Sequence, residues 1–476
     1  MSTLSTNQEA ELKIIEILKL LEETFHSKDT KKIKEARNKL NEILKDLNNS
    51  IELLFLALSN KSIQGKEISL DLHKSVALYL KNLFYAQKGI NSEDAYNYLI
   101  KIFDLIFNKS EINPHLTNVA IFTSFQAMIS SLLSNQRVIE AKDKYISQLF
   151  NLLLTSIKNV TNEKFLSISK SVVLLSTSLF SSKCAVADNY IQLINEYYIP
   201  IINIVFSKVG IFLIPKSNIY NNEYIIILKL LLDGFYSCLS RMRSFFPNEK
   251  RKEIALKLFK DYGIYCLELI QLSPAFDENT KKQYGEPNPI LVFNPDEKLC
   301  YELNNLKSKA IQFLSFITQI STLEDRLLEE DEKNVISDNE LIDVLNKLIS
   351  LIISCFEDIL KSENKFNLIR KYNGDMNEEE DSYNMLLFQI CVFLTRCLIR
   401  DPIKTKFSAY MRKFLLNILF PMIVTIDDEN AFADTDPDGY HQYINDIVSE
   451  FKNKNFRTSA CFLVKKICDK YEDIFF

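Results

Sequence analysis

Two close pairs of carboxylates, Glu329 with Asp331 and Asp434 with Asp436, are of the type that general acid–base chemistry uses. That chemistry needs carboxyls that are buried, converge on one point and titrate away from their ordinary range. Both pairs lie in polar runs without an apolar flank, so the spacing carries no acid–base role. The other reactive types are nine cysteines and four histidines, His26, His73, His115 and His441. No C-x-x-C occurs, and no histidine stands near a cysteine at the short spacing a zinc site requires. An odd number of unpatterned cysteines predicts reduced, buried thiols in the cytosol or nucleus. No Ser-His-Asp or Cys-His arrangement stands out, and neither G-x-G-x-x-G nor G-x-x-x-x-G-K-[ST] is present to cradle a phosphate. The chain reads as a non-enzyme that needs no cofactor and no metal.

Something other than chemistry must therefore organise 476 residues, of which 47% are hydrophobic and 25% charged, ample for a sizeable core. Only eight glycines occur, about a quarter of ordinary usage, so the architecture needs few tight turns. A net charge of −5 argues against nucleic acid as the main partner. The opening MSTLSTNQEAELK lacks a basic stretch followed by an apolar one, so no secretory signal is read. Membrane insertion is not expected either: the most apolar run, 224–235, is broken by Lys229 and Asp233, short of the about 18 uninterrupted residues a span needs.

The apolar residues recur at helical spacing throughout. In 8–25, Ile14, Ile17, Leu18, Leu21 and Phe25 fall at steps of three and four and predict one face of an amphipathic helix. A break at Ser27–Thr30 leads into a second helix capped by Asp29, with Ile33, Ala36, Leu40, Ile43, Leu44 and Leu47 inward. Ser50 opens a third, with Ile51, Leu54, Phe55 and Leu58 inward. Ser69 opens a fourth whose core side is Leu72, Val76, Leu80 and Leu83, and Ser92 opens a fifth. First members of successive pairs begin near 9, 50, 92 and 137, the spacing of two-helix repeats of about 40–47 residues. The reading is all-α: an α-solenoid of HEAT-like antiparallel helix pairs, with 1–186 as regular N-terminal repeats and 187–476 as longer repeats (187–209, 217–243, 248–272 and onward) with inserted loops.

Four polar segments interrupt the second half. Residues 273–297 hold four of the eleven prolines and read as a loop; 324–340 and 373–381 read as solvated connections. Residues 427–438, DDENAFADTDPD, carry six acids and no base between an apolar helix at 404–424 and another beginning near Tyr440. An exposed acidic run is ordinarily a solvated linker, and Asp-Pro-Asp-Gly at 436–439 is a good turn.

Two stretches carry a family resemblance. LLEETFHSKD, IKEARNKLNEIL, IELLFLALSN and SVALYLKNLFY near the start resemble, in order and spacing, the N-terminal domain of the importin-β (karyopherin-β) nuclear transport receptors. LFPMIVTIDDENAFADTDPDGYHQYI and NFRTSACFLVKKICDKYEDIF near the end are similar to the corresponding segment of the CAS-type exportins that return importin-α to the cytoplasm. The importin seven/eight group has a related acidic segment and ranks second. This resemblance implies a receptor that shuttles between nucleus and cytoplasm, binds the small GTPase Ran in its GTP form on its N-terminal repeats, and carries importin-α or another protein cargo. It also implies clefts for Phe-Gly nucleoporins. Lys74, Lys81 and Lys88 recur every seven residues and share a face opposite Leu72, Val76 and Leu83. Lysines there are either the wet side of a solenoid helix or, by the resemblance, an inner surface on which Lys74, Lys81 and Asn82 meet Ran. Within the acidic run the resemblance singles out Asp427, Asp428, Glu429, Phe432, Asp434 and Asp436 as facing Ran or cargo. A HEAT-repeat scaffold or adaptor without a transport cycle is the alternative of another class. Family members are about twice this length, and the apolar end Ile474, Phe475, Phe476, where a terminal repeat wants a polar outer face, predicts a truncation or an omitted remainder.

Overall fold

A computed structural model describes residues 6–44, 47–86, 92–133, 142–159, 165–181, 192–213, 222–242, 248–273, 278–284, 288–292, 297–321, 338–362, 365, 381–423 and 456–471. The chain divides into two compact units, Met1–Val205 and Phe206–Phe476. The division expected at residue 186 falls outside the described residues.

The first unit is a stack of helix hairpins: α1 (Thr6–His26) with α2 (Thr30–Ile43), α3 (Leu47–Ser59) with α4 (Leu70–Ala86), α5 (Ser92–Phe107) with α6 (Val119–Leu133), and α7 (Lys142–Lys158) with α8 (Phe165–Ser181). First members α1, α3, α5 and α7 form one layer and second members α4, α6 and α8 another, each touching its neighbour along the stack. One hairpin alone cannot cover its apolar face, which is why the pattern repeats. Asp29 caps α2 as expected, its Oδ1 accepting from Lys31 N–H at 2.9 Å. Ile14, Ile17, Leu18 and Leu21 are buried, whereas Phe25, expected beside them, lies 38% exposed at the last turn of α1, where the packed face ends. Helix α3 starts three residues before Ser50, which is buried inside it.

The second unit repeats the two-layer plan. Helices α10 (Asn222–Met242), α13 (Glu297–Ser321), α15 (Asp381–Cys397) and α18 (Phe456–Lys470) pack in succession. Helices α11 (Asn248–Ile270), α14 (Asn339–Lys361) and α16 (Ile403–Phe414) form the second layer. Helix α9 (Ile199–Leu213), entered through a π-helical turn at Ile194–Tyr198 in the first unit, carries the division between Val205 and Phe206, and in the second unit α16 continues through another π-helical turn at Leu415–Leu419 into α17 (Phe420–Ile423). Ion pairs Lys229–Glu302 (3.0 Å) and Lys309–Asp233 (2.6 Å) tie α10 to α13, and Arg396 donates to Ser315 Oγ at 2.8 Å from α15 to α13. Among the described residues no helix is long and apolar enough to cross a membrane.

The segment 273–297 is more than a loop. It contains a short helix, α12 (Glu278–Tyr284), and a strap at Asn288–Val292 whose Ile290, Leu291 and Val292 are fully buried. Bent, irregular backbone in a core leaves polar groups to satisfy, and side chains do so. Lys307 Nζ donates to Pro289 O (3.0 Å) and Ile290 O (2.9 Å). Asn304 Oδ1 accepts from Val292 N–H (3.0 Å), and Tyr383 donates to Val292 O (3.0 Å). Asn288 folds back on Ile290 and Leu291 N–H through Oδ1 and donates to Asp358 Oδ2 at 2.6 Å, where Lys365 also pairs at 2.8 Å. Burial pushes the Lys307 ammonium down to about 7. Cys238, Cys266, Cys300, Cys355, Cys391 and Cys397 are buried thiols outside any disulfide, as expected, whereas Cys461 and Cys468 are exposed because they lie on the outer side of α18. Of the connections read as solvated, 324–337 and 373–380 lie outside the described residues. Asp338 is instead the N-cap of α14, accepting from Leu341 N–H at 3.0 Å, and Asp381 begins α15.

Candidate partner-binding surface

Helix α4 holds the polar pair that the opening repeats single out, and its approach is fixed by a two-residue hairpin the periodicity did not reveal. Strands β1 (Ser62–Ile63) and β2 (Lys66–Glu67) pair antiparallel around Gln64 (φ 48°) and Gly65 (φ 75°). Two successive positive φ values are the mirror-image turn that suits strand twist, and glycine at the second avoids the cost of a side chain there. Ser69 Oγ then accepts from Leu72 N–H at 3.3 Å to start α4.

The buried face of α4 is His73, Val76, Ala77, Leu80 and Phe84, with Ser75 also buried; Leu72 and Leu83, expected in the core, are half-buried. The helix is turned from the phase of its leucines because Phe84 enters an aromatic cluster with Tyr98 (ring centroids 5.4 Å) and Phe55 (6.4 Å), and His73 enters a polar one. The turn leaves Lys74 and Lys81 on one face, both half-exposed, with Asn82 exposed beside them; Lys88 lies outside the described residues. Lys74 Nζ bonds Asp71 Oδ1 at 2.9 Å, and through that bond and its charge holds the Asp71 carboxyl below its ordinary range. Exposed pairs of this kind add little stability, so the ammonium can be exchanged to another acid at small cost.

Behind this face lies a histidine cluster. His73 Nδ1 is 3.1 Å from His115 Nδ1 and 3.2 Å from Ser69 O; its Nε2 is 3.1 Å from Asn60 O and 2.9 Å from the Asn113 amide. Asn113 Nδ2 also donates to Leu58 O at 2.9 Å. Burial lowers the His73 pKa and keeps the ring neutral. His26 Nε2 donates to Ser75 Oγ (3.2 Å), which in turn donates to Asp71 O (2.9 Å), joining the end of α1 to α4. Helix α4 is thus held by α1, by the turn at Pro114–Thr117 and by α6, and presents Lys74, Lys81 and Asn82 from a fixed support. His73 and His115 stand 42 residues apart, about one repeat period, and that spacing was the sequence signal that could have joined them, although His73 lies inside α4 and His115 in the turn before α6. Among the described residues no group of three or more His, Cys, Asp or Glu is placed to hold a metal ion. Asp427, Asp428, Glu429, Phe432, Asp434 and Asp436 lie outside the described residues, as does the helix expected near Tyr440.

No family model and no curated protein matches the sequence. A solved structure matches by fold: the exportin Cse1 in its cargo-free, cytoplasmic state, with a TM-score of 0.59 at 14% identity over 97% of this chain and 43% of that one. The chain therefore spans less than half the length of that exportin. At this identity the likeness is one of fold, an all-α solenoid.

Proposed function

We propose that the chain acts as a nuclear transport receptor that moves between nucleus and cytoplasm, binds Ran-GTP through its N-terminal repeats and carries a protein cargo, with importin-α as the cargo the CAS-type resemblance favours. The observation that supports this most is the exportin fold extending over 97% of the chain, together with the polar face Lys74, Lys81 and Asn82 on a second helix of an opening repeat. On this reading the chain makes and breaks no bond. Ran hydrolyses the nucleotide, and the stack responds through small rotations between repeats that touch only their neighbours. The segment 427–438 supplies acidic charge that orients Ran or cargo on encounter.

Pull-down with Ran locked in its GTP state against Ran-GDP tests the proposal. Selective retention of the GTP form, weakened by Lys74→Glu with Lys81→Glu, is expected; equal or absent retention of the two forms refutes it. Adding importin-α fixes direction, because an exportin gains cargo affinity from Ran-GTP and an importin loses it by the same linkage.

A further inference from the structure

The polar contacts around His73 do not all suit one state of its ring. Two partners fix the Asn113 amide: Oδ1 accepts from His115 N–H at 3.2 Å, and Nδ2 donates to Leu58 O at 2.9 Å. The second Nδ2 hydrogen therefore points at His73 Nε2, 2.9 Å away, which makes that ring nitrogen an acceptor. The one hydrogen of the neutral ring is then on Nδ1, between Ser69 O (3.2 Å) and His115 Nδ1 (3.1 Å). Asn60 O, 3.1 Å from Nε2, faces a lone pair instead of a hydrogen. A neutral ring serves one of these two carbonyls; an imidazolium would serve both.

A second proton, on Nε2, would bond Asn60 O and set one N–H against another at Asn113. Turning the Asn113 amide over relieves that contact only by placing its oxygen against Leu58 O and its nitrogen against His115 N–H. Whether the amide turns or withdraws, the bond to Leu58 O and the cap at the start of Pro114–Thr117 are both lost. The surroundings offer the charged ring little else. His115 is the charge that acts on His73 directly, and it disfavours a second one. The hairpin brings the exposed pair Lys61–Glu67 (3.0 Å), with Glu67 in the field of His115. Helix α1 meets α4 through His26, bonded to Ser75, and α4 itself carries the exposed pair Asp71–Lys74. Helix α3 has one ionisable side chain, Glu52, paired with Lys101 of α5, and α6 has none. Among the described residues no carboxylate bonds the His73 ring.

We propose that His73 and Asn113 form a proton-operated latch on the seam between the second and third helix hairpins. With His73 neutral, Asn113 fastens the turn at Pro114–Thr117 to α4 and to the end of α3. When Nε2 takes a proton from solvent, His73 donates to Asn60 O instead, Asn113 is displaced and the turn comes free. Burial disfavours the charged ring, so the latch is closed at neutral pH and opens on acidification. The proposal does not rest on the transport reading, and its test involves neither Ran nor importin-α.

The test is hydrogen exchange followed by mass spectrometry on the full chain at pH 7.5 and 5.5, with each rate divided by the intrinsic rate at that pH. The amides of Ile112, Asn113, Leu116 and Asn118, all bonded to carbonyls within this segment, report the turn. Their corrected exchange is expected to rise about tenfold at pH 5.5, the factor one histidine of ordinary pKa gives once the turn is open, while peptides from α1 and α10 stay unchanged. His73→Gln, whose side-chain oxygen can accept from Asn113 at either pH, is expected to exchange slowly at both. Asn113→Ala is expected to exchange fast at both. Corrected exchange of 112–118 that is the same at the two pH values in the wild type, an equal rise in His73→Gln, or a rise spread evenly over the whole first unit would each overturn the proposal.

Discussion

Lys307 gives the sharpest test of the architecture, because a lysine sealed in a core and hydrogen-bonded to two strap carbonyls must leave its mark on stability against pH. Its pKa is pushed down by burial to about 7 from an ordinary 10.5, so above pH 7 the folded chain has released a proton that the unfolded chain still binds. Stability therefore rises with pH across the window from 7 to 10.5 and is flat below it, where both states hold the proton. Integrating one proton over that window at about 1.4 kcal/mol per pH unit gives about 2 kcal/mol between pH 7 and pH 9, allowing for half-titration at the lower end. The perturbation is Lys307→Met, of similar volume and without charge. It orphans two carbonyls at a cost of about 1–3 kcal/mol each, so the variant starts less stable. What matters is the slope. The buried thiols of Cys266, Cys391 and Cys397 are held above their ordinary range by burial, which lowers stability as pH rises through the unfolded thiol range near 9. Those three thiols do not act on Lys307, so their effect is common to both proteins and cancels in the difference; Cys355, which does, is pushed up to about 12 chiefly by burial and stays protonated in the folded chain across pH 7 to 9. Urea unfolding followed by circular dichroism at pH 7, 8 and 9 should show the wild type gaining about 2 kcal/mol on the variant. Parallel pH profiles for the two proteins would refute the placement of Lys307 as a buried, strap-bonded amine.

Three further outcomes follow from described contacts. A Cβ on Gly263 in α11 would sit 2.4 Å from Phe259 Cε2, so Gly263→Ala should destabilise by about 1–2 kcal/mol instead of giving the about 1 kcal/mol gain of an open helical site, with Gly263→Ala/Phe259→Leu recovering most of the loss in thermal melts. Phe84→Ala should cost about 3–5 kcal/mol in urea unfolding, since the ring is 2% exposed between Phe55 and Tyr98. His73 is held neutral, its pKa below the unfolded value of 6.5, so its contribution is complete above pH 6.5 and lost as pH falls; a melt at pH 5.5 against 7.5 should drop further for the wild type than for His73→Gln.

Much of the stack was legible because helix-forming information is local. Most of the inner face of α1, the Ala36, Leu40 and Leu44 side of α2, the Asp29 cap and the starts of successive hairpins follow from spacing within 20 residues and from one period near 42, whereas Ile33 and Ile43 are only half-buried and Leu47 belongs to α3. In α4, Val76 and Leu80 are buried as their spacing predicts, but Leu72 and Leu83 are not, because Leu83 and Phe84 compete for the same core and the winner is chosen by Phe55 and Tyr98 from other helices. The strap at Asn288–Val292 was hidden for the same reason: prolines and asparagine mark a loop, and only Lys307, Asn304 and Tyr383, up to 91 residues away, draw it inside. In the candidate surface, Lys74, Lys81 and Asn82 were legible as a polar face, whereas the histidine support beneath them depends on contacts that cross one repeat.

A stack of hairpins ordinarily flexes a little at every joint. The strap removes one of those joints, since the groups that hold it come from α13, α14 and α15, two successive hairpins riveted by a third piece of chain. Amides along α13 should then be the slowest in this unit to exchange with solvent, and any bending of the unit is displaced to the seams flanking that block, α10–α11 on one side and α18 on the other.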